Sequence, residues 1–523
     1  MERAAGERLP ARGTFLLLAL TAALLLFRLG QVPLLGPDEP RYARVAVEMQ
    51  RAGEWVTPTL QGQPWLEKPA LYYWMAGAAF RWLGETEAAA RLPAVLAGVM
   101  MVGTTALVGA RLFGAAAGLH AGFLLATTPL FFGYGRAATM DMLVAAGITS
   151  AIGLFALGFL GVAGRLAIPA AYVFMGLATL AKGPLGVVLP GLVVIGYAAS
   201  CRDPHLLRRA LSPLGIVLFL LTAGPWYAAV YASQGRAFVD VFLLDHNVAR
   251  FTSTVHRHPG PFYYYAVVLI GLLFPWSGTL LSAVAGASPR RSTIDRFVLL
   301  WWLLPFLFFS AAGSKLPGYI LPCLPPLALL MGRLLADVTS GAAMRPFGSR
   351  AAALIGLVLG AAIAGAPALL RDREPLWTLL LPAAVWALVT VLLASRAWDR
   401  HPASAPNILR IGGVGFLVLA TLVAPTLLER HESGRLLFPP ARGREVLAWG
   451  AWRTAWMAGY FYNDGRVREI SGLADLEQSL DEGPALVLCG PAERRQLENT
   501  PAFETSLLAS GPRENALLSV ARR

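Results

Sequence analysis

Apolar runs of roughly 20 residues, separated by short polar loops, recur from Thr14 to about Leu428. Each is long enough to cross the ~30 Å hydrocarbon core of a bilayer. The pattern predicts thirteen spans, at about 14–30, 90–110, 115–134, 142–162, 166–181, 183–200, 211–232, 263–285, 296–312, 318–336, 351–370, 375–395 and 407–428. The 166–200 stretch is divided only by Lys182-Gly-Pro. In the 31–89 loop two interfacial helices are predicted. Over 41–52, Tyr42, Val45, Met49 and Ala52 recur at helical spacing against Arg41, Arg44, Glu48 and Arg51, a pattern suited to a membrane surface. The second, about 69–83, opens on Pro69 and carries Tyr72, Tyr73, Trp74 and Trp82, aromatics suited to the headgroup level. After about 430 the pattern changes. Strand-like runs (Ala485–Cys489, Ser506–Ala509, Leu517–Ala521) alternate with helical ones (Leu473–Leu480, Ala492–Asn499). The predicted organisation is an all-α polytopic membrane domain over 1–430 and a small extracytoplasmic α/β domain over 431–523, with no internal repeat.

Composition agrees with this class. The chain is 56% hydrophobic and 14% charged, with a mean hydropathy of +0.57, whereas soluble chains carry about 25% charged residues. The net charge of +13 invites a nucleic-acid reading, but the charges sit in short loops between spans: Arg3/Arg8/Arg12, Arg111, Arg165, Arg202/Arg208/Arg209, Arg290/Arg291/Arg296, Arg345/Arg350 and Arg396/Arg400. These are every second loop, the mark of cytoplasmic loops under the positive-inside rule. The expectation is a multi-pass protein with a cytoplasmic N-terminus, the alternate loops and the tail outside, and no nucleic-acid partner. The run Phe15–Phe27 is followed by Arg28-Leu-Gly-Gln-Val-Pro, without a small-x-small cleavage site, and is predicted to be a retained first span. Three scattered cysteines, Cys201, Cys323 and Cys489, make no disulfide framework, and Cys489 is expected to be a buried free thiol.

Topology singles out the candidate chemistry. Of 44 basic residues only three are lysines, Lys68, Lys182 and Lys315, and all fall in exterior loops or at exterior span ends. A compact ammonium is not interchangeable with a guanidinium, although chance could also put three lysines on one side. Asp38 opens Asp-Glu-Pro-Arg-Tyr just after the first span, and Asp141 follows the third in Arg136-Ala-Ala-Thr-Met-Asp. The topology places both at one membrane face, where ionisable groups at span ends are functional candidates. Asp38 also suits a helix N-cap for 39–52, and the two roles are compatible. Glu67-Lys68-Pro69 could be a surface ion pair ahead of a helix, and His258 an interfacial histidine.

The motifs Asp38-Glu-Pro-Arg-Tyr, Trp65-Leu-Glu-Lys-Pro-Ala-Leu-Tyr-Tyr-Trp, Ala90-Arg-Leu-Pro, Lys182-Gly-Pro and Lys315-Leu-Pro-Gly-Tyr-Ile-Leu-Pro-Cys, in that order, resemble the bacterial aminoarabinose transferase family. That family is grouped with protein O-mannosyltransferases in the glycosyltransferase C superfamily. The resemblance runs from about Pro37 to Arg333. It implies a glycosyltransferase C fold of about 13 transmembrane helices in the bacterial inner membrane, with the active site and C-terminal domain periplasmic. It also implies transfer of a sugar, typically 4-amino-4-deoxy-L-arabinose, from undecaprenyl phosphate to lipid A phosphate or another envelope acceptor. By the same resemblance, Asp38, Asp141 and Glu67 are catalytic candidates. Lys68, Lys182, Arg250, Lys315 and Tyr319 would bind the donor phosphate, and Glu39, Arg41, Tyr42 and Asn247 would bind substrate. The Asn247, Arg250, Phe251 and His258 loop is similar to one that contacts the lipid phosphate and a divalent ion, zinc or magnesium, for which Glu67 and His258 are the candidate ligands. The chain departs from the family pattern at Ala70, in place of a second proline, and at Asp245-His246, in place of a Glu-rich stretch.

The chemistry expected of such a site follows from charge. A polyprenyl-phosphate donor leaves as a dianion while positive charge develops at the anomeric carbon, so cations must face the phosphate oxygens. A carboxylate, Asp38 foremost, would support the sugar centre or orient the acceptor. Two other readings compete: a protein O-mannosyltransferase-like enzyme, and a lipid or sugar transporter. Transporters keep ionisable groups near the bilayer midplane on broken, often repeated helices, and here the conspicuous charges gather at span ends.

Overall fold

The computed structural model describes residues 7–249, 260–341, 381–441 and 443–523. Among these residues, six helices are long and apolar enough to cross a membrane: Glu87–Phe113, Asp141–Phe159, Pro213–Gln234, Thr293–Ala311, Pro317–Thr339 and Ala405–His431. Shorter apolar helices are Ala11–Leu26, Ala115–Ala126, Ala167–Lys182, Leu185–Cys201 and Val385–Ala397. Two expected spans are broken. The run at 263–285 forms Tyr264–Leu272 and Ser277–Gly286, bent by 113°. The run at 115–134 forms Ala115–Ala126 and Pro129–Tyr134, where Pro129 starts a new helix. The expected span at 351–370 lies outside the described residues, as does the start of the one at 375–395.

The chain forms two compact units. The first comprises residues up to Phe27, Leu66–Tyr72 and Pro93–Ala420. Its helices approach through small residues. A Cβ on Gly118 would stand 2.3 Å from the Ala106 carbonyl oxygen, so only glycine allows that contact. The C-terminal carbonyls of the Ala11–Leu26 helix lack intrahelical donors. Arg136 supplies one, its Nη1 reaching the oxygens of Leu24, Leu25 and Phe27 at 3.0, 2.9 and 2.7 Å.

The second unit combines Arg28–Trp65 and Tyr73–Leu92 with Thr421–Arg523. The predicted helix after the first span forms as Asp38–Ala52, with Asp38 and Glu39 in its first turn, Arg51 in its last and Gly53 as a left-handed cap. Tyr42, Ala43, Val45, Ala46, Val47 and Met49 are buried along it. The next helix runs Leu71–Leu83, with Tyr72 and Tyr73 buried and Trp82 exposed. Strands β1 (Thr59–Leu60) and β2 (Gln63–Pro64) make a small hairpin. The tail holds a five-stranded sheet of β3 (Val446–Trp449), β4 (Val467–Glu469), β5 (Ala485–Cys489), β6 (Phe503–Ser510) and β7 (Ala516–Arg522), in the order β4-β3-β5-β7-β6. β3, β4 and β5 are parallel, and β7 is antiparallel to β5 and β6. Leu447, Leu476, Val487, Leu497 and Leu518 form its core with the Leu473–Leu480 and Pro491–Asn499 helices. Cys489 is a free, buried thiol, pushed up to about 12 by that burial.

One buried ion pair organises the first loop. Arg91, 1% exposed, donates to Glu39 Oε2 at 2.6 Å and to the carbonyls of Leu29, Val32 and Pro33 at 3.1, 2.6 and 2.6 Å. Glu39 Oε2 also accepts the Leu35 N–H at 2.8 Å. Arg91→Met is expected to strand this carboxylate and cost about 3–5 kcal/mol. The check is thermal unfolding of the purified protein in detergent, where an unaltered midpoint would contradict the assignment.

Candidate active site

In the first unit, segments distant in sequence converge. Asp141 begins the Asp141–Phe159 helix and Lys182 ends the Ala167–Lys182 helix, so each charge complements its own helix dipole. Lys182 Nζ lies 2.5 Å from Asp141 Oδ1, with both side chains largely shielded from solvent. Gly183, at φ 84°, turns the chain into Pro184 and the Leu185–Cys201 helix, which leaves the ammonium at a break between two apolar helices.

Lys182 Nζ also lies 4.7 Å from the centroid of the Tyr319 ring, a cation–π contact. Tyr319 belongs to the 3-10 turn Pro317–Cys323, and Tyr134 holds this turn by accepting the Gly318 N–H at 2.8 Å. A Cβ at Gly318 would fall 2.4 Å from the Tyr134 ring, so the contact needs glycine. Tyr265 donates its hydroxyl to the Leu316 carbonyl at 3.2 Å, and Phe309 packs against Tyr319 at 6.0 Å. Lys315, four residues before Tyr319, is buried and donates to the Ala312 carbonyl at 2.5 Å.

A second cluster of the same unit joins Glu67 to His246, with Oε1 and Nε2 3.6 Å apart. His246 lies in the π-helical stretch Val239–Ala249. Lys68 is buried, and its Nζ reaches the Glu67 carbonyl at 3.1 Å. Arg250 and His258 lie outside the described residues, as does the side chain of Asn247. No group of three or more His, Cys, Asp or Glu side chains able to hold a metal occurs among the described residues. Glu67 and His246 offer two donors, whereas a catalytic zinc site takes three from the protein.

The second unit contains the other candidates. Asp38 lies inside the first helical turn, with Pro37 at the N-cap position and no side-chain cap. Its capping role is therefore corrected: the helix starts one residue earlier than the pattern suggested, and the carboxylate, 45% exposed, pairs with Arg41 in its own turn. Arg41 is buried, with its guanidinium 5.2 Å from the Trp65 ring and 5.8 Å from the Tyr42 ring. Tyr42 packs edge-on against Tyr73. Glu39, 5% exposed, is engaged by Arg91, which gives it a structural role in the loop.

Sequence reasoning passed over Tyr134, Arg136 and Arg91 as contributors. Arg136 and Arg91 were visible as an arginine just before Asp141 and as the centre of Ala90-Arg-Leu-Pro, but their carbonyl partners exist only in the folded chain.

The fold resembles that of ArnT from Cupriavidus metallidurans. The crystal structure bound to undecaprenyl phosphate superposes with a TM-score of 0.81 at 22% identity over 98% of both chains. The apo crystal structure gives 0.79 at 22% identity over 97% of both. The family model for dolichyl-phosphate-mannose-protein mannosyltransferase matches residues 67–228. Fold and motifs thus define a polytopic membrane protein of the glycosyltransferase C class. Within that class, an undecaprenyl phosphate-alpha-4-amino-4-deoxy-L-arabinose arabinosyl transferase of Aeromonas hydrophila subsp. hydrophila is 31% identical over 469 residues, covering 82% of this chain and 83% of its own. The Pectobacterium carotovorum subsp. carotovorum protein of the same name is 34% identical over 340 residues, which are 60% of this chain and 57% of that one. The chain belongs to this arabinosyl transferase family.

Gly318→Ala is expected to push Tyr134 away and overpack the turn, lowering stability by about 1–3 kcal/mol. Thermal unfolding in detergent reads this directly, and a midpoint equal to that of the parent would show that the turn has room to spare.

Proposed function

We propose that this protein transfers 4-amino-4-deoxy-L-arabinose from undecaprenyl phosphate to a phosphate of lipid A, at the periplasmic face of the bacterial inner membrane. The observation that carries the reading is the convergence of Asp141, Lys182 and Tyr319, from three separate motifs, into one charged cluster in a member of the arabinosyl transferase family. The proposed topology has thirteen crossings, a cytoplasmic N-terminus and a periplasmic tail domain over 431–523. The Arg-rich alternate loops support it.

In this reading the prenyl phosphate sits against Lys182. One of the ammonium's three donors goes to Asp141, leaving two for phosphate oxygens. Lys68, Lys315 and Arg250 add positive charge where the leaving dianion forms, and the Tyr319 hydroxyl donates to it. Asp141 holds the ammonium in place. By the family resemblance, Asp38 takes the role of the carboxylate that supports the sugar centre or orients the acceptor. A lipid phosphate is already ionised and asks little base help, whereas a hydroxyl acceptor would have to give Asp38 its proton. Glu39, Arg41, Tyr42 and Asn247 are the substrate-binding candidates, with Glu39 acting through Arg91. Glu67 helps position the sugar, and a divalent ion shared by Glu67 and His258 is the family's expectation for this loop. Single inversion at the anomeric carbon follows by analogy with the class.

A second reading, protein O-mannosylation from a polyprenyl-phosphate mannose, is favoured by the mannosyltransferase model over residues 67–228. Mass spectrometry decides between them. Purified protein given undecaprenyl-phosphate aminoarabinose and lipid A is expected to add one aminopentose to the lipid, and Asp38→Asn to lower that transfer by at least about 10²-fold. Hexose transfer to protein, with lipid A untouched, would overturn the arabinosyl reading.

A further inference from the structure

The Asp38–Ala52 helix is held by a turn more than 400 residues away in sequence. Leu34, four residues before Asp38, donates its N–H to the Tyr462 hydroxyl oxygen at 2.8 Å. Tyr462 in turn donates to Glu87 Oε1 at 3.1 Å. Arg435 braces that carboxylate at 3.1 Å and Glu429 at 2.6 Å. Burial, then the nearby Glu87 charge, pushes the Tyr462 hydroxyl far up, so it stays protonated and can accept from Leu34 while donating to Glu87.

Two residues on, Asp464 adopts φ 55°, a left-handed conformation that aspartate tolerates. Its Oδ1 takes Arg44 at 2.5 Å and Arg51 at 2.8 Å, both from the Asp38–Ala52 helix. Burial pushes this carboxyl up, but the two guanidiniums outweigh it and hold it below the usual range. Gln61 Nε2 then donates to the Gly465 and Val467 carbonyls at 2.8 and 2.7 Å. The same helix carries Glu48, which accepts from the Gln61 and Gly62 N–H groups at 2.9 and 3.2 Å. The turn 462–467 therefore grips the loop before the helix, the helix itself and the hairpin beyond it.

We propose that this turn is a positioning device: Tyr462 and Asp464 set the register of the Leu34–Asp38 segment, and so the place of the Asp38 carboxylate during sugar transfer. The inference rests on the reading of Asp38 given above. Asp38 has only Arg41 of its own helical turn as its ion-pair partner among the described residues. The backbone beneath it therefore sets its position, and that backbone is gripped by the tail. A misplacement of about 1 Å at a reacting centre can cost 10²-fold in rate. The tail domain thereby gains a task in catalysis without touching substrate, and Tyr462 and Asp464 are positioning residues.

The test compares Tyr462→Phe and Asp464→Asn with the parent by hydrogen exchange and by turnover. Amides in peptides covering 33–41 are expected to lose protection about tenfold while those of β5 keep theirs. The kcat is expected to fall about ten- to a hundredfold, with the donor KM within about twofold. Unchanged exchange at 33–41 overturns the proposal whatever turnover does. Looser exchange with full turnover also overturns it, and an inactive Asp38→Asn measured alongside then leaves the Asp38 reading standing. If Asp38→Asn itself keeps full turnover, the reading of Asp38 fails and takes the positioning role with it. Should Tyr462→Phe loosen β5 as well, Asp464→Asn, which alters a half-exposed carboxylate, decides by the same two readouts.

Discussion

A lysine at the end of one apolar helix and an aspartate at the start of another face each other, and the rest of the site depends on that contact. Unpaired charge among apolar helices is costly, so Lys182 and Asp141 each make the other's position tenable. Their helices add to this, since the carbonyl end of Ala167–Lys182 favours the cation and the amide end of Asp141–Phe159 favours the anion. Once the pair is set, Tyr319 can lie against the ammonium because Tyr134 holds its turn through Gly318. Four side chains, two charged and two aromatic, are placed by one ion pair, one cation–π contact and one hydrogen bond.

The division of labour between arginine and lysine follows from their shapes. Arg91 and Arg136 each reach several backbone carbonyls at once, which suits a planar fork with five donors. Both serve carbonyls around and beyond the end of the first helix, where intrahelical donors run out. The three lysines stand elsewhere, at a helix break, within the Glu67-Lys68-Pro69 segment and before the Tyr319 turn. A compact, rotatable ammonium suits the proposed role, in which a phosphate is met by a point charge rather than clasped by a fork.

Much of this was legible in the chain before folding. Hydrophobic periodicity located most of the apolar helices among the described residues to within a few residues, because a buried or lipid-facing helix repeats its apolar residues over many turns. It also found β5, part of β6, β7 and the helices of the tail sheet. It missed β3 and β4, which are four and three residues long and too short to show alternation. It also missed the 113° bend after Leu272, because an apolar run reads alike whether straight or folded back. Motif likeness named Asp141, Lys182 and Tyr319, but not Tyr134, which acts through a backbone amide that no pattern advertises. Glu39 illustrates the converse. Adjacent acids in Asp38-Glu39 look equivalent in sequence, yet one is half exposed and the other is buried against Arg91. Burial and partner identity are tertiary properties, and they decide which acid stays accessible.

The central claim is that Lys182, seated between Asp141 and Tyr319, recognises the phosphate of a prenyl lipid. Native mass spectrometry of the purified protein with undecaprenyl phosphate and with undecaprenol tests it without relying on turnover. The wild-type protein should prefer the phosphorylated lipid, and Lys182→Met should reduce that preference by at least about tenfold, the factor that 1.4 kcal/mol of lost contact gives. A variant that still discriminates between the two lipids as the parent does would contradict the account.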